Sequence, residues 1–333
     1  MTFNHASYIV GAMDGFTMQQ TAFPFVCCIL DDASTDGEPE VIRKYLQDYF
    51  DLENKAIVRN EETDDYVLCF AQHKTNKNCF FAVLWLKYNH YSIKKAKMPY
   101  IAEWLEKAKY IALCEGDDYW IHPEKLMIQA NFMEEHNNVC MCTHAFSTAT
   151  KEGKVLNNIH SLSKDGMLDT GLVIENKQAP HTSSFFYRSK DIYMSPHIFY
   201  ETGVGDYNRR VYSAINGGIY YFNVIMSHYR KHVENSWTDL MKKNPTDFIK
   251  HIDKMIHFAN QLDKYTNYDY RKNIEKRINY LQCLKYLKAG NYKKVLSTTY
   301  FKSLSIGRKM KILIRNICPS MYYTLMKIFH RAL

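Results

Sequence analysis

Short apolar runs that end in acidic residues alternate with stretches of helical periodicity over the first two thirds of the chain. Pro24 to Leu30 is one such run, closed by Asp31 and Asp32. Tyr110 to Leu113 is another; it breaks into Glu115, Asp117 and Asp118, with Gly116 loosening the backbone between them and Pro123 closing the segment. This pattern predicts buried strands whose ends carry carboxylates into a crevice, although an acidic turn built from ordinary turn residues would read the same way. Further strands are predicted at 79–86, 139–146, 181–188 and 219–226. Helices are predicted at 8–16, at 40–50 through Val41, Ile42, Tyr45, Leu46 and Tyr49, at 126–136, and around Val211 to Ile215. The span 147–169 reads as loop or hairpin. Val58 to Asn78 fits neither period and reads as a polar insertion around the acidic run 61–65.

Beyond Ser236 the pattern changes to Lys- and Tyr-rich helical periodicity. Phe248, Ile252, Met255, Ile256 and Ala259 form one stripe and Ile274, Ile278, Leu281 and Leu284 a second, as in a packed helical pair. A turn is marked by Gly290-Asn291. The expected organisation is therefore an α/β domain over 1–238 followed by a helical region over 239–333.

Composition narrows the function classes. The 333 residues are 46% hydrophobic and 23% charged, which is globular, and the net charge of +8 suits an anionic partner without choosing one. The nine cysteines have no regular spacing, and Cys27 and Cys28 are neighbours inside an apolar run, so reduced thiols are expected. Strand alternation explains Cys140, Cys142 and His144 better than zinc spacing does. A signal sequence and an apolar run near 18 residues are both lacking, which places the expected site of action in the cytoplasm. A nicotinamide enzyme would need a G-x-G-x-x-G turn, and a nucleic-acid binder one of the known basic motifs; neither pattern is found.

Three stretches taken together are specific. Thr2-Phe3-Asn4-His5 precedes Tyr8-Ile9, Asp31-Asp32-Ala33-Ser34-Thr35-Asp36-Gly37 closes the first apolar run, and Glu115-Gly116-Asp117-Asp118 closes the later one. In that order they resemble the T-Y-N element, the D-D-G-S-T-D loop and the D-x-D-type motif of family 2 glycosyltransferases of the GT-A fold. Tyr229-Arg230-Lys231-His232 looks like the Y-R-x-H ending of that catalytic domain, and Asn89-His90-Tyr91-Ser92 like a loop near its nucleotide.

The resemblance covers residues 1–236 and implies a Rossmann-like, mostly parallel sheet flanked by helices. It implies an inverting, metal-dependent transfer from a nucleotide-diphosphate sugar to a surface-polysaccharide or lipid-linked saccharide acceptor, with Mn²⁺ or Mg²⁺ as cofactor and no nucleic acid as partner. Asp118 is then a metal ligand, Asp117 contacts the ribose or a metal-bound water, and Asp32 contacts the base. Thr2, Phe3 and Asn4 line the donor site. Asp31 shapes its turn and Asp36 caps or braces the loop. Asp206 is the candidate general base, though it also fits a helix N-cap. His232 completes the metal shell, touches a phosphate or is structural. Glu115 orients the site or is a solvated strand end, and Trp120 flanks the acceptor or is core.

In that family an apolar strand precedes the T-Y-N element, whereas Met1 stands directly before Thr2, so an upstream extension of about one strand is expected. A catalytically inactive glycosyltransferase-like scaffold is the alternative function, opposed by the intact Asp117-Asp118 pair. In the tail, Ile306, Met310, Leu313, Ile314 and Ile317 share a helical face beside Arg308, Lys311 and Arg315, and a second apolar and basic segment follows Pro319. Peripheral attachment to an anionic membrane surface through 303–333 is the expectation, with simple packing as the alternative.

Overall fold

The computed structural model describes residues 1–160, 162, 164–193, 195–200, 205–231, 233, 241 and 243–317. The chain divides into two compact units, the first made of 1–170, 178–195 and 209–234 and the second of 171–177, 196–208 and 235–333. The helical region thus draws in two segments from inside the α/β part.

The first unit opens with helix α1 (Ile9–Thr17), strand β1 (Phe25–Asp31) and helix α2 (Glu38–Tyr49). Then come β2 (Phe50–Asp51), β3 (Arg59–Glu62), β4 (Tyr66–His73), β5 (Cys79–Leu86) and α3 (Ala102–Lys107). These strands form one sheet in the order β1-β5-β4-β2, with β3 on β4. The stretch expected as an insertion therefore contributes to the sheet: β3 and β4 make an antiparallel hairpin and β4 runs antiparallel to β5.

Period-two alternation divides this sheet into two apolar faces. Phe81 and Val83 face α1 and α2, packing with Ile9, Met13, Ile42, Tyr45, Leu46 and Phe50, while Ala82 and Leu84 meet Leu30, Leu68 and Ile101 on the face that Trp104 and Leu105 of α3 join. Phe81 lies at the centre of the first face, its ring 4.4 Å from Phe50 and 6.3 Å from Phe16.

The second sheet is built from β6 (Tyr110–Ala112), β7 (Tyr119–Trp120), β8 (Met141–Ala149), β9 (Val155–His160), β10 (Gly166–Met167), β11 (Phe186–Arg188) and β12 (Ile219–Arg230). Its order is β10-β12-β8-β11-β6, with β7 on β12 and β9 on β8. Helix α4 (Lys125–Glu135) lays Leu126, Ala130 and Met133 against Trp120, Cys142 and Phe186.

The expectation of a mostly parallel sheet is corrected. Among the described strands only β1 with β5 and β8 with β12 are parallel ladders, and the other pairs are antiparallel. Short links such as those joining β3 to β4, β4 to β5 and β8 to β9 allow only antiparallel neighbours. Strands β1 and β6 end their sheets. On the outer edge of β1 the start of the chain is stitched by two hydrogen bonds, Thr2 N to Leu30 O at 2.9 Å and Asp32 N to Thr2 O at 3.0 Å.

Short helices α5 (Thr170–Ile174) and α6 (Lys190–Tyr193) precede α7 (Gly205–Asn216). In the second unit α8 (Pro245–Tyr265) and α9 (Arg271–Lys288) pair, followed by α10 (Tyr292–Ser297), α11 (Thr299–Ser303) and α12 (Ile306–Ile317). Asn244 caps α8, its Oδ1 accepting from Thr246 N and Asp247 N, and Pro245 fits the first turn. Ile312 and Leu313 of α12 pack on a cluster of Cys283, Val295 and Phe301, while Ile306 and Met310 are exposed.

Replacing Phe81 by Ala should cost about 3–5 kcal/mol, the usual penalty for emptying a fully buried aromatic site. Denaturant unfolding at neutral pH measures it.

Candidate metal centre

Two loops that close apolar strands meet the start of the chain in a polar knot. Glu38, at the first turn of α2, is fully buried and collects donors from both sides. Its Oε2 accepts from His5 N at 2.9 Å and from Ser34 Oγ at 2.8 Å, and its Oε1 from the Thr2 hydroxyl. Asn4, in a left-handed conformation at φ 56°, turns its Oδ1 to Thr35 N at 2.9 Å. Asp36 braces the loop by accepting from Ala6 N and Glu38 N. Phe3 remains exposed. The side chains of Thr2 and Asn4 thus bind this knot together.

The acidic motif touches the knot through Gly116. A Cβ there would come within 2.4 Å of Thr2 Oγ1 and 2.9 Å of His5 Nδ1, so only glycine permits the approach. One residue further on, the Asp117 carbonyl accepts from Arg230 Nη1 at 2.8 Å. The Arg230 guanidinium is flanked by the rings of Tyr8 and Tyr119.

Asp118 is completely buried. Its Oδ1 accepts from Arg230 N at 3.1 Å, and its Oδ2 has no hydrogen-bond donor among the described residues. Burial, then Asp117 and Glu115, push the carboxyl well above the usual range. His181 Nδ1 lies 3.5 Å from Oδ2. Glu115, Asp118 and His181 each present a ligand atom within 4.8 Å of the others. A donorless buried oxygen, a second carboxylate and an imidazole fit a divalent cation, and the mixed oxygen and nitrogen set suits Mn²⁺ better than Mg²⁺.

His181 was not singled out from sequence. It lies 63 positions from Asp118, and its only local signal is a His at the head of a Thr-Ser-Ser run before a strand. The fold brings it in because β11, which follows it, pairs with β6, which precedes the acidic motif. His232, the sequence candidate for this role, lies outside the described residues.

Asp32 is buried and engaged with the loop after β5. Its Oδ1 accepts from His90 N at 2.7 Å, and its Oδ2 from Tyr91 N at 3.1 Å and Lys97 Nζ at 2.6 Å. A base reaching Asp32 would share oxygens that already anchor this loop. His90 continues the chain to Tyr100, whose hydroxyl donates to Asp65. Trp120 is core: Phe16 meets its ring edge-on at 4.9 Å and its Nε1 donates to Ser183 O at 2.9 Å.

Asp206 belongs to the second unit, half-buried in the first turn of α7. Burial holds the nearby His251 imidazole below its ordinary value, and Asp206 acts in the opposite direction. The eight cysteines among the described residues are all free.

Comparison with known proteins adds to this geometry. No family model matches the chain. Uncharacterized proteins of Mycobacterium bovis and Mycobacterium tuberculosis are 28% identical over 239 residues, 71% of this chain. The match spans 59% of the length of those relatives. Among solved structures, a mannosyltransferase of Pyrobaculum calidifontis, in complex with GDP-Man and Mn²⁺, superposes with a TM-score of 0.51 at 12% identity. That superposition covers 98% of this chain and 81% of the other. The chain thus shares the fold of that mannosyltransferase.

Asp31 gives a test of the electrostatics beside the site. It is buried with Oδ1 accepting from Ser34 N at 3.0 Å, and burial pushes its carboxyl up to about 6. A carboxyl raised above its unfolded value binds its proton more tightly in the native state, so its cost is full at pH 7 and disappears as pH falls through 6 toward 4. Asp31→Asn should therefore gain roughly 3 kcal/mol at pH 7, with the gap to wild type closing near pH 4. Paired denaturation curves across that range measure it.

Proposed function

We propose that the protein is an inverting glycosyltransferase that moves a sugar from a nucleotide-diphosphate sugar to a saccharide or lipid-linked acceptor. The observation that carries this reading is the buried, donorless Asp118 Oδ2, set beside Glu115 and His181 on a glycosyltransferase fold. Those three residues would hold Mn²⁺ or Mg²⁺. When bound, such an ion acts as a Lewis acid toward the leaving diphosphate.

The chain's own groups do the rest. Arg230 fixes the acidic motif from behind through the Asp117 carbonyl and the Asp118 carboxylate. Asp117, half-buried, faces the donor ribose, and the loop that Asp32 anchors takes the base. Thr2 and Asn4 shape the donor side through the knot on Glu38, and the exposed Phe3 lines it. In this reading Asp206 takes the proton from the acceptor hydroxyl as the sugar is transferred.

No helix among the described residues is long and apolar enough to cross a membrane. For α12 we propose peripheral attachment to an anionic membrane surface, since Ile306 is 80% and Met310 51% exposed beside exposed Arg308 and Lys311. The full chain should sediment with anionic but not neutral vesicles. Ile306→Glu combined with Met310→Glu should abolish this; unchanged sedimentation of that variant would leave α12 as a packing helix.

Asp118→Asn should lower transfer by roughly 100-fold or more, the scale expected when electrostatic stabilisation of the leaving group is lost, with melting temperature retained. Nucleotide release with Mn²⁺ across a panel of donors is the assay. Asp206→Asn should lower kcat by about 10²–10⁴ with donor affinity intact. A fall in donor affinity alone would make Asp206 a binding or capping residue.

A further inference from the structure

Lys125, the first residue of α4, is fully buried, and burial pulls its ammonium down to about 7. Its Nζ donates to Gln129 Oε1 at 2.7 Å and sits 4.1 Å from the centroid of the Trp120 ring. A desolvated ammonium with so few partners is costly, and an apolar side chain of similar length would pack there at less expense. Stability does not account for the residue.

Its neighbours point to a different role. An amide can turn either its oxygen or its NH₂ toward a given neighbour, and the ammonium decides the matter for Gln129 by claiming the oxygen. The NH₂ is thereby directed to Ser184 O at 3.0 Å and Cys142 O at 3.4 Å. Trp120, beneath the same ammonium, donates to Ser183 O. Both serines belong to the single turn of 3₁₀ helix Thr182–Ser184, and His181 stands at its head. The His181 Nδ1 accepts from Ser183 N at 3.3 Å and lies 3.0 Å from Ser183 Oγ, which itself bonds Ser227 Oγ at 2.9 Å. Two donors, both organised by one buried ammonium, therefore hold the turn that aims His181 at Asp118.

We propose that Lys125 is a positioning residue for the candidate metal centre, acting through Gln129 and Trp120 on the 182–184 turn that presents His181. The proposal rests on the reading of Glu115, Asp118 and His181 as cation ligands.

Two substitutions separate positioning from charge. Lys125→Met removes a positive charge near the site, and Gln129→Glu adds a negative one while keeping a partner for Lys125 and losing the NH₂ donors. Coulomb attraction alone makes the site more favourable for a cation in both variants. Positioning has the opposite sign: Mn²⁺ should bind about tenfold more weakly or worse in each, the usual range when a group supporting a metal ligand is lost.

The measurement is direct Mn²⁺ titration of the full chain by electron paramagnetic resonance, alongside thermal melts, with Asp118→Asn as reference. Weaker binding in folded variants supports the proposal. Binding as tight as or tighter than wild type, in either folded variant, overturns it; should Lys125→Met fail to fold, Gln129→Glu decides. Mn²⁺ binding by wild type that Asp118→Asn leaves unchanged would overturn the metal-centre reading itself, a separate failure visible in the same experiment.

Discussion

The site in the first unit turns on one carboxylate, that of Asp118, held where burial and two acidic neighbours disfavour its charged form. A backbone N–H from Arg230 meets one oxygen, and the other is left to His181 and Glu115. Isolated charges of this kind are expensive, and the usual compensation is a partner ion or a proton. In the proposed reading the former is what Oδ2, which has no donor among the described residues, receives.

The supporting shell reaches that oxygen from three directions in the chain. The knot on Glu38 fixes the backbone before the acidic motif by way of Gly116, β12 supplies Arg230, and the 182–184 turn supplies His181. None of these elements is local in sequence to the others. Loop geometry at Asp31 and Asp32 completes the arrangement, since Asp32 anchors the loop after β5 instead of standing free.

Much of the scaffold was legible in the sequence because it is written in local periodicity. Strands β1, β5, β8 and β12 and helices α1, α2, α4, α8 and α9 fall where apolar spacing puts them. β3 escaped because all four of its residues are exposed: its place comes from ladder hydrogen bonds, which leave no hydrophobic signature. Strand direction had no local check, since period two is the same in parallel and antiparallel pairs, and the mostly parallel sheet was an implication of the family resemblance alone. Within the site, Asp117 and Asp118 were legible as an acidic strand end. His181 and Lys125 were not, because the roles proposed for them arise from pairing between β6 and β11 and from burial of the ammonium over the Trp120 ring.

The acidic run 61–65 has an effect that reaches beyond the hairpin it sits on. Glu62 meets Lys87 at 2.7 Å and Asp65 meets Lys95 at 2.8 Å, while Lys97 is taken by Asp32 at 2.6 Å. Three of the four lysines of the loop after β5 are thus ion-paired, Lys94 being the fourth, and paired charges leave little field beyond a Debye length of about 8 Å. If the proposed donor binds on this side, the loop leaves only the Lys94 charge to draw a diphosphate from solution. Capture on this side of the protein should therefore proceed at ordinary encounter rates that change little with ionic strength.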